Sequence, residues 1–173
     1  MKKQCLIIVG NIAAGKTAVC RAWLSKSLHY SFVCLDDYRD IAHVFTPPVS
    51  AWGNEQMAQK LALNPISDEE PFLLFETTGT GRFFDRALRQ LIVKGYQIRM
   101  VHLQCDPDEC LKRFHRRSYK GYILPPYPYK FKPHDTIRHI SAAHRQLRFD
   151  HIFNTQTSTA EEIVESLSQL VIK

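Results

Sequence analysis

The residues from Gly10 to Thr17 have the types and the spacing that bind phosphate groups. The segment reads GNIAAGKT, with a glycine at each end of a short loop and then a lysine and a threonine. Glycines allow the backbone to curl so that successive N–H groups point toward phosphate oxygens. We expect Lys16, which we also place among the catalytic residues, to reach the β- and γ-phosphates of ATP, and the Thr17 hydroxyl to ligate Mg²⁺. The predicted contacts with ATP are Gly10, Asn11, Ile12, Ala13, Ala14, Gly15, Lys16 and Thr17.

Three polar residues, Asp36, Asp37 and Arg39, follow the second apolar segment of the chain. In an open α/β sheet, ligands bind beyond the carboxyl ends of the strands, so these side chains should lie across from the phosphate loop. A carboxylate there can accept the proton of an attacking hydroxyl group. We expect Asp36 to be this base and a Mg²⁺ ligand, with Asp37 and Arg39 contacting the acceptor. Asp37 becomes the base if the register differs by one, and the alternative is that either aspartate only caps a helix near Tyr38.

The D-x-x-R pattern of Asp36 and Arg39, beginning 20 residues beyond Lys16, resembles the 5′-hydroxyl kinase domain of phage polynucleotide kinase. The resemblance implies that Asp36 is the general base and that Arg39 holds a phosphate of the acceptor. The phosphate loop is also similar to that of deoxynucleoside kinases, but the E-R-S signature of those enzymes is absent from the sequence. An N-K-x-D guanine-reading motif is absent too, so a GTPase is not favoured.

A further candidate segment runs from Phe72 to Arg82, where an apolar stretch ends in a carboxylate followed by hydroxyl groups and glycines. Together with the Lys94-Gly-Tyr stretch and the strand after it, this segment resembles the zeta-toxin kinases, which phosphorylate UDP-N-acetylglucosamine. The resemblance implies that Glu76, Thr78 and Arg82 line the acceptor pocket. From the residues alone, the alternative is a glycine-rich turn with Glu76 solvated at its mouth.

Basic residues are concentrated between positions 112 and 132, where seven Lys or Arg occur without any Asp or Glu. Arg113 and Arg117 are four residues apart and would share one face of a helix. In P-loop kinases this position is the lid, here about residues 112–133, whose arginines neutralise transition-state charge. We therefore predict that both arginines are catalytic and that Arg113 also contacts ATP, the alternative being a solvated helix face. Residues 150–157 resemble the last strand and adenine-binding loop of small kinases, which implies that Asn154 and Thr155 contact ATP; the alternative is a strand exit with a helix cap.

The segments that carry these residues alternate between short apolar runs and stretches with helical spacing. Near-continuous apolar runs are typical of strands buried on both faces of a parallel sheet. The pattern predicts an α/β fold in one domain over residues 1–173, a doubly wound, five-stranded parallel sheet of the P-loop nucleoside-triphosphate-hydrolase type with a helical lid. Helix starts are expected at residues 106–107 and 157–158. The predicted strands are Cys5–Val9, Phe32–Leu35, Phe72–Phe75, Ile98–Leu103 and His151–Phe153, and the predicted helices are Lys16–Leu28, Phe83–Lys94, Asp108–Arg117, Thr136–Leu147 and Ala160–Val171.

Composition narrows the classes of protein that this chain can be. Hydrophobic residues make up 45% of the 173 residues, which excludes wholesale disorder, and no apolar run is long enough for a membrane helix. The five scattered cysteines favour buried thiols over a disulfide framework or a zinc site, and we expect a cytoplasmic protein. The basic segment accounts for more than the whole formal charge of +6, so the chain is not basic all over. That distribution favours a local phosphate site over a general nucleic-acid coat.

These observations predict an ATP- and Mg²⁺-dependent kinase with an alcohol group as acceptor. The acceptor would be a nucleotide, a nucleotide-sugar or another small molecule, and no membrane partner is expected. The first alternative is a polynucleotide 5′-hydroxyl kinase, because the rings between residues 119 and 131 alternate with lysines, as in sites that bind a nucleic-acid end. The second alternative is a nucleotide-binding module that hydrolyses ATP slowly and lacks an acceptor.

Overall fold

The structure, a computed structural model, describes residues 2–27, 29–34, 70–116 and 132–171. It contains five strands and five helices within these ranges, each within a few residues of its predicted bounds. The strands are β1 (Gln4–Gly10), β2 (Ser31–Cys34), β3 (Phe72–Thr77), β4 (Gln97–Gln104) and β5 (His151–Asn154). The helices are α1 (Lys16–Lys26), α2 (Gly81–Val93), α3 (Pro107–Arg116), α4 (Pro133–His144) and α5 (Ala160–Val171).

The strands form one parallel sheet in the order β2-β3-β1-β4-β5, which confirms the predicted fold class. β1 lies in the centre and pairs with β3 on one side and β4 on the other. In this register Ile8 is beside Glu76 of β3 and Val101 of β4. The loops that leave the carboxyl ends of β1, β3 and β4 therefore meet at one edge of the sheet.

Both faces of the sheet are covered, as the apolar strands predicted. Along β1, Cys5, Ile7 and Val9 pack toward α2, while Leu6 and Ile8 pack toward α1 and α5. Burying one such aliphatic side chain stabilises the fold by about 1.5–3 kcal/mol. All five cysteines of the chain are buried, as expected for small core thiols. The central strand is thus packed on both faces, and this packing positions the residues at its end.

Local capping explains where two of the helices begin. The Asp106 carboxylate accepts hydrogen bonds from the backbone N–H groups of Asp108 at 2.9 Å and Glu109 at 3.2 Å, which confirms the predicted start of α3. The predicted bounds of α5, Ala160–Val171, are confirmed, but its cap lies one or two residues beyond the expected positions 157–158. Thr159 and Glu162 form a reciprocal capping box instead, with the Thr159 N–H bonded to the Glu162 carboxylate at 2.8 Å.

Residues 154–158 form a turn between β5 and α5. The backbone N–H of Ser158 donates to the Asn154 carbonyl at 3.0 Å, so residues 157–158 belong to this turn rather than to the cap of α5. Among the helices of the described ranges, none has both the length and the apolarity needed to cross a bilayer.

Candidate functional site

The phosphate loop leaves β1 at Gly10 and enters α1 at Lys16. It turns tightly, since Ala13 and Gly15 both have positive φ, 60° and 91°. A Cβ atom on Gly10 would lie 3.2 Å from the Leu103 carbonyl oxygen and 3.2 Å from Cγ of Lys16. The loop therefore packs directly over the carboxyl ends of β1 and β4, in the strand–loop–helix arrangement that the motif predicted.

Lys16 lies inside this loop rather than in solvent. Its side chain is 9% exposed, and its ammonium group donates a hydrogen bond to the Asn11 carbonyl at 3.0 Å. This position lies at the amino-terminal end of α1, where the helix dipole is positive.

Glu76 contacts the phosphate-loop helix. The Thr17 hydroxyl donates to Glu76 Oε1 at 2.8 Å, and Glu76 is 3% exposed, so it is not solvated at the mouth of a turn. The zeta-toxin resemblance placed Glu76 in the acceptor pocket, but the geometry puts it beside the hydroxyl predicted to bind metal. A hydroxyl and a carboxylate this close are the hard oxygen donors that suit Mg²⁺.

The loop after β3 holds the other predicted acceptor residues. The Thr78 carbonyl accepts a hydrogen bond from Nε2 of His144 at 2.7 Å, and the hydroxyl groups of Thr78 and Thr80 lie 3.3 Å apart. Gly79 has φ 70°, and a Cβ atom there would lie 2.4 Å from Cγ1 of Val9. The backbone of Arg82 belongs to the first turn of α2, and its side chain is outside the described residues.

Helix α4 covers the phosphate loop through Asn11. The Asn11 side-chain amide donates to the Ile137 carbonyl at 2.8 Å and to the Ser141 hydroxyl at 2.7 Å. Its carbonyl oxygen Oδ1 accepts from the N–H of Ile12 at 2.7 Å. The Asn11 side chain thus attaches the loop to α4, while its backbone carbonyl accepts from the Lys16 ammonium group.

Arg113 joins the predicted lid to the predicted adenine loop. Its guanidinium donates to the Thr155 carbonyl at 2.9 Å, to the Thr155 hydroxyl at 3.3 Å and to the Glu109 carboxylate at 3.0 Å. All three guanidinium nitrogens therefore donate a hydrogen bond. This geometry ties α3 to the loop after β5, and both expected roles of Arg113, in catalysis and in contact with ATP, stay predictions.

His102 and His144 were not identified as site residues from the sequence. Nε2 of His102 lies 3.1 Å from Nδ1 of His144, and the His102 ring stacks on Phe149 with centroids 4.5 Å apart. Burial lowers the pKa of His102 to about 4, with a smaller effect from His144. Burial also lowers the pKa of His144; the hydrogen bond to the Thr78 carbonyl acts against this shift, and the nearby charge of Lys16 adds to it. Both rings are therefore neutral near pH 7. One feature of the sequence could have indicated this pair: His102 is a polar residue in a largely apolar strand, and a buried imidazole needs a hydrogen-bond partner.

A cavity of about 540 Å³ lies between α4 and the ends of β4 and β5. Its lining includes Asn11 of the phosphate loop, Asn154 of the predicted adenine loop and both histidines of the pair. The cavity therefore adjoins the candidate site. The remaining predicted site residues, Asp36, Asp37, Arg39 and Arg117, lie outside the described residues, and their roles stay predictions.

Comparison with known proteins identifies the fold. No family model matches the chain, and no curated protein matches its sequence. The chain is similar to shikimate kinase from Bacteroides thetaiotaomicron, with a TM-score of 0.68 and 19% identity over 98% of this chain and 99% of that one. It is similar to APS kinase from Mycobacterium tuberculosis, solved with AMPPNP and APS, with a TM-score of 0.65 and 12% identity over 99% of each chain.

A third similar structure is the Pnkp1/Rnl/Hen1 RNA repair complex, with a TM-score of 0.62 and 17% identity. The match covers 85% of this chain and 47% of that chain. At identities this low, the likenesses show the fold alone. The chain has the fold of P-loop kinases.

Proposed function

We propose that this protein is a kinase that transfers the γ-phosphoryl group of ATP to a hydroxyl group of a small acceptor. The observation that carries the proposal is the contact between Thr17 and Glu76, 2.8 Å long, beside Lys16 in a tightly curled phosphate loop. This arrangement combines the cation, hydroxyl and carboxylate that phosphoryl transfer requires around a triphosphate. Similar solved structures of kinases support the same reading.

Different residues of the chain would bind the phosphates, the Mg²⁺ ion and the base of ATP. Backbone N–H groups of the phosphate loop would hold the β-phosphate, and Lys16 would leave the Asn11 carbonyl to neutralise charge on the γ-phosphoryl oxygens. Thr17 and Glu76 would hold Mg²⁺ directly or through its water ligands, and the ion would offset the charge that develops between the β- and γ-phosphates. Arg113 would keep the loop at Thr155 closed over the base.

The acceptor side rests on Asp36 and Arg39. Asp36 would take the proton of the attacking hydroxyl, as a ligand of Mg²⁺ or close to it, while Asp37, Arg39, Thr78 and Arg82 would hold the acceptor. Arg117 would add positive charge when the lid closes. We favour a nucleotide or nucleotide-sugar acceptor because the chain carries no net positive charge outside residues 112–132 to hold a long strand. We place the reaction in the cytoplasm, where ATP is abundant.

A polynucleotide 5′-hydroxyl end is the second candidate acceptor. The D-x-x-R spacing favours it, and the RNA repair complex shares the fold over part of its length. A polymer acceptor would bind through several phosphates and release counterions, so its KM should rise steeply with salt. A small acceptor with two or three phosphate charges should show a much weaker dependence.

One experiment tests the proposal and separates the candidates. The protein is incubated with γ-labelled ATP and, separately, UDP-N-acetylglucosamine, a panel of nucleosides and nucleotides, and a 5′-hydroxyl oligonucleotide. We expect label on a small acceptor. Label on the oligonucleotide alone, with a steep salt dependence, would select the second candidate. Slow ATP hydrolysis with no labelled acceptor would contradict the kinase proposal and favour a nucleotide-binding module.

A further inference from the structure

Helix α4 contacts both loops of the candidate active site. Near the middle of the helix, the Ile137 carbonyl and the Ser141 hydroxyl accept hydrogen bonds from the Asn11 side-chain amide. These bonds attach α4 to the phosphate loop. At its last residue, His144 bonds to the Thr78 carbonyl, which attaches it to the loop of residues 77–81, here called the acceptor loop. One helix therefore sets the position of each loop relative to the other.

Only one protonation pattern satisfies the histidine contacts when both rings are neutral. The Thr78 carbonyl can only accept, so Nε2 of His144 carries a proton and donates across the 2.7 Å contact. Nδ1 of the neutral ring is then bare and accepts from Nε2 of His102 across 3.1 Å. His102 is held in turn by its stack on Phe149. The result is a directed chain of hydrogen bonds from His102 through His144 to Thr78.

The acceptor loop has little freedom to compensate if this chain is broken. Gly79 packs so closely on Val9 that a Cβ atom would lie 2.4 Å from Cγ1 of that valine. Its N–H donates to the Thr77 hydroxyl at 3.1 Å, so the turn is closed on itself. Thr78 is two residues beyond Glu76, whose carboxylate bonds to Thr17. That contact anchors the end of β3 to the phosphate loop, so a shift at Thr78 should move the acceptor loop rather than the phosphate side of the site.

We propose that His144 is a positioning residue that fixes the acceptor loop through the Thr78 carbonyl, and that His102 holds it in the tautomer able to do so. The inference rests on the proposed function, because it assigns the loop of residues 77–81 to the acceptor. His144 does not touch the reacting atoms. Its loss should therefore weaken use of the acceptor while leaving nucleotide binding intact, because Asn11 still attaches α4 to the phosphate loop.

The test combines imidazole nitrogen spectra with three variants and a matched control. His144→Leu removes both hydrogen bonds, His144→Gln keeps a donor for Thr78, and His102→Phe keeps a ring on Phe149 but removes its N–H. His139→Leu is the control, because His139 is an exposed histidine on the same helix. The probes are AMPPNP for nucleotide affinity and whichever acceptor becomes labelled by γ-labelled ATP.

We expect the wild-type spectrum at pH 7 to show His144 protonated at Nε2 and bare at Nδ1, with the Nδ1 signal moving in His102→Phe. The backbone amide signals of Gly79 and Thr80 should shift in His144→Leu, return toward wild type in His144→Gln and stay unchanged in the control. For the labelled acceptor, kcat/KM should fall about tenfold in His144→Leu, the loss of roughly one hydrogen bond, while the Kd of AMPPNP stays within about twofold.

Three results would overturn the proposal. The first is a wild-type His144 that is protonated at Nδ1. This measurement uses the wild-type protein alone, so it does not depend on whether the variants fold. The second is a set of acceptor-loop signals that stays as in wild type in His144→Leu, or that is as far from wild type in His144→Gln as in His144→Leu. The third is an equal loss of AMPPNP affinity and acceptor turnover. If no acceptor becomes labelled, the kinase proposal fails separately, and the tautomer and loop signals still decide this one.

Discussion

Replacing Glu76 by glutamine removes a negative charge from the centre of the candidate site while keeping the shape of the side chain. The Thr17 hydroxyl donates to Glu76 across 2.8 Å, and glutamine still offers it a carbonyl oxygen. A hydrogen bond to a charged group is worth about 1.5–3 kcal/mol and one between neutral groups about 0.5–1.5 kcal/mol. The variant should therefore lose at most about 1 kcal/mol of stability, because the neutral amide also costs less to bury than a carboxylate, and Tm should fall by no more than roughly 2–4 °C in a domain of this size.

The loss of activity should be larger than the loss of stability. If Glu76 helps to hold Mg²⁺ against the triphosphate, Glu76→Gln should lower turnover of γ-labelled ATP about a hundredfold or more, which corresponds to roughly 2.7 kcal/mol. It should also raise the Mg²⁺ concentration needed for half-maximal rate. Glu165→Gln, an exposed glutamate on α5, is the matched control and should change neither quantity. Turnover of Glu76→Gln within about threefold of wild type at every Mg²⁺ concentration would refute this reasoning.

Three further predictions concern the proposed general base Asp36, the guanidinium of Arg113 and the histidine pair. Asp36→Asn should leave nucleotide binding by calorimetry unchanged and lower phosphoryl transfer by about a hundredfold, whereas full activity would indicate a helix cap. Arg113→Ala should raise the KM for ATP more than it lowers kcat in steady-state assays, because its guanidinium holds the loop at Thr155; a change in kcat alone would favour the catalytic assignment. The pKa of His102 is lowered to about 4, so the unfolded chain takes up a proton at higher pH than the folded chain does. The free energy of unfolding should therefore fall by about 2 kcal/mol from this group as pH drops from about 6.5 to 4, after allowance for its partly exposed ring. His102→Phe should have a shallower dependence in denaturant titrations, and an equal slope in both proteins would contradict the assignment.

The fold could be predicted because its signals are local. The strand of Leu6 and Ile8 is apolar on both faces, and only a sheet covered on both sides buries such a strand. The glycines at positions 10 and 15 then specify the turn into α1. Asp106 likewise predicts the start of α3, because a capping side chain bonds to backbone N–H groups no more than three residues further along the chain.

The contacts of the site could not be predicted because they join distant parts of the chain. Glu76 was assigned to the acceptor, but register places the carboxyl end of β3 next to β1, so its carboxylate reaches Thr17, 59 residues away in sequence. His102 and His144 are 42 residues apart and belong to a strand and a helix end that meet only in the folded protein. Neither pairing has a spacing rule that one sequence reveals.

The comparison of wild type with Lys16→Ala in the labelled-ATP assay tests the central claim most directly. Lys16 is nearly buried in the phosphate loop, and its ammonium already lies 3.0 Å from a backbone oxygen of that loop. Lys26→Ala, on the exposed end of the same helix, is the matched control. We expect label on an acceptor with wild type and the control, and transfer at least about a hundredfold slower, with weaker nucleotide binding, in Lys16→Ala. Near-normal transfer by Lys16→Ala would contradict the assignment of this loop as the site of phosphoryl transfer.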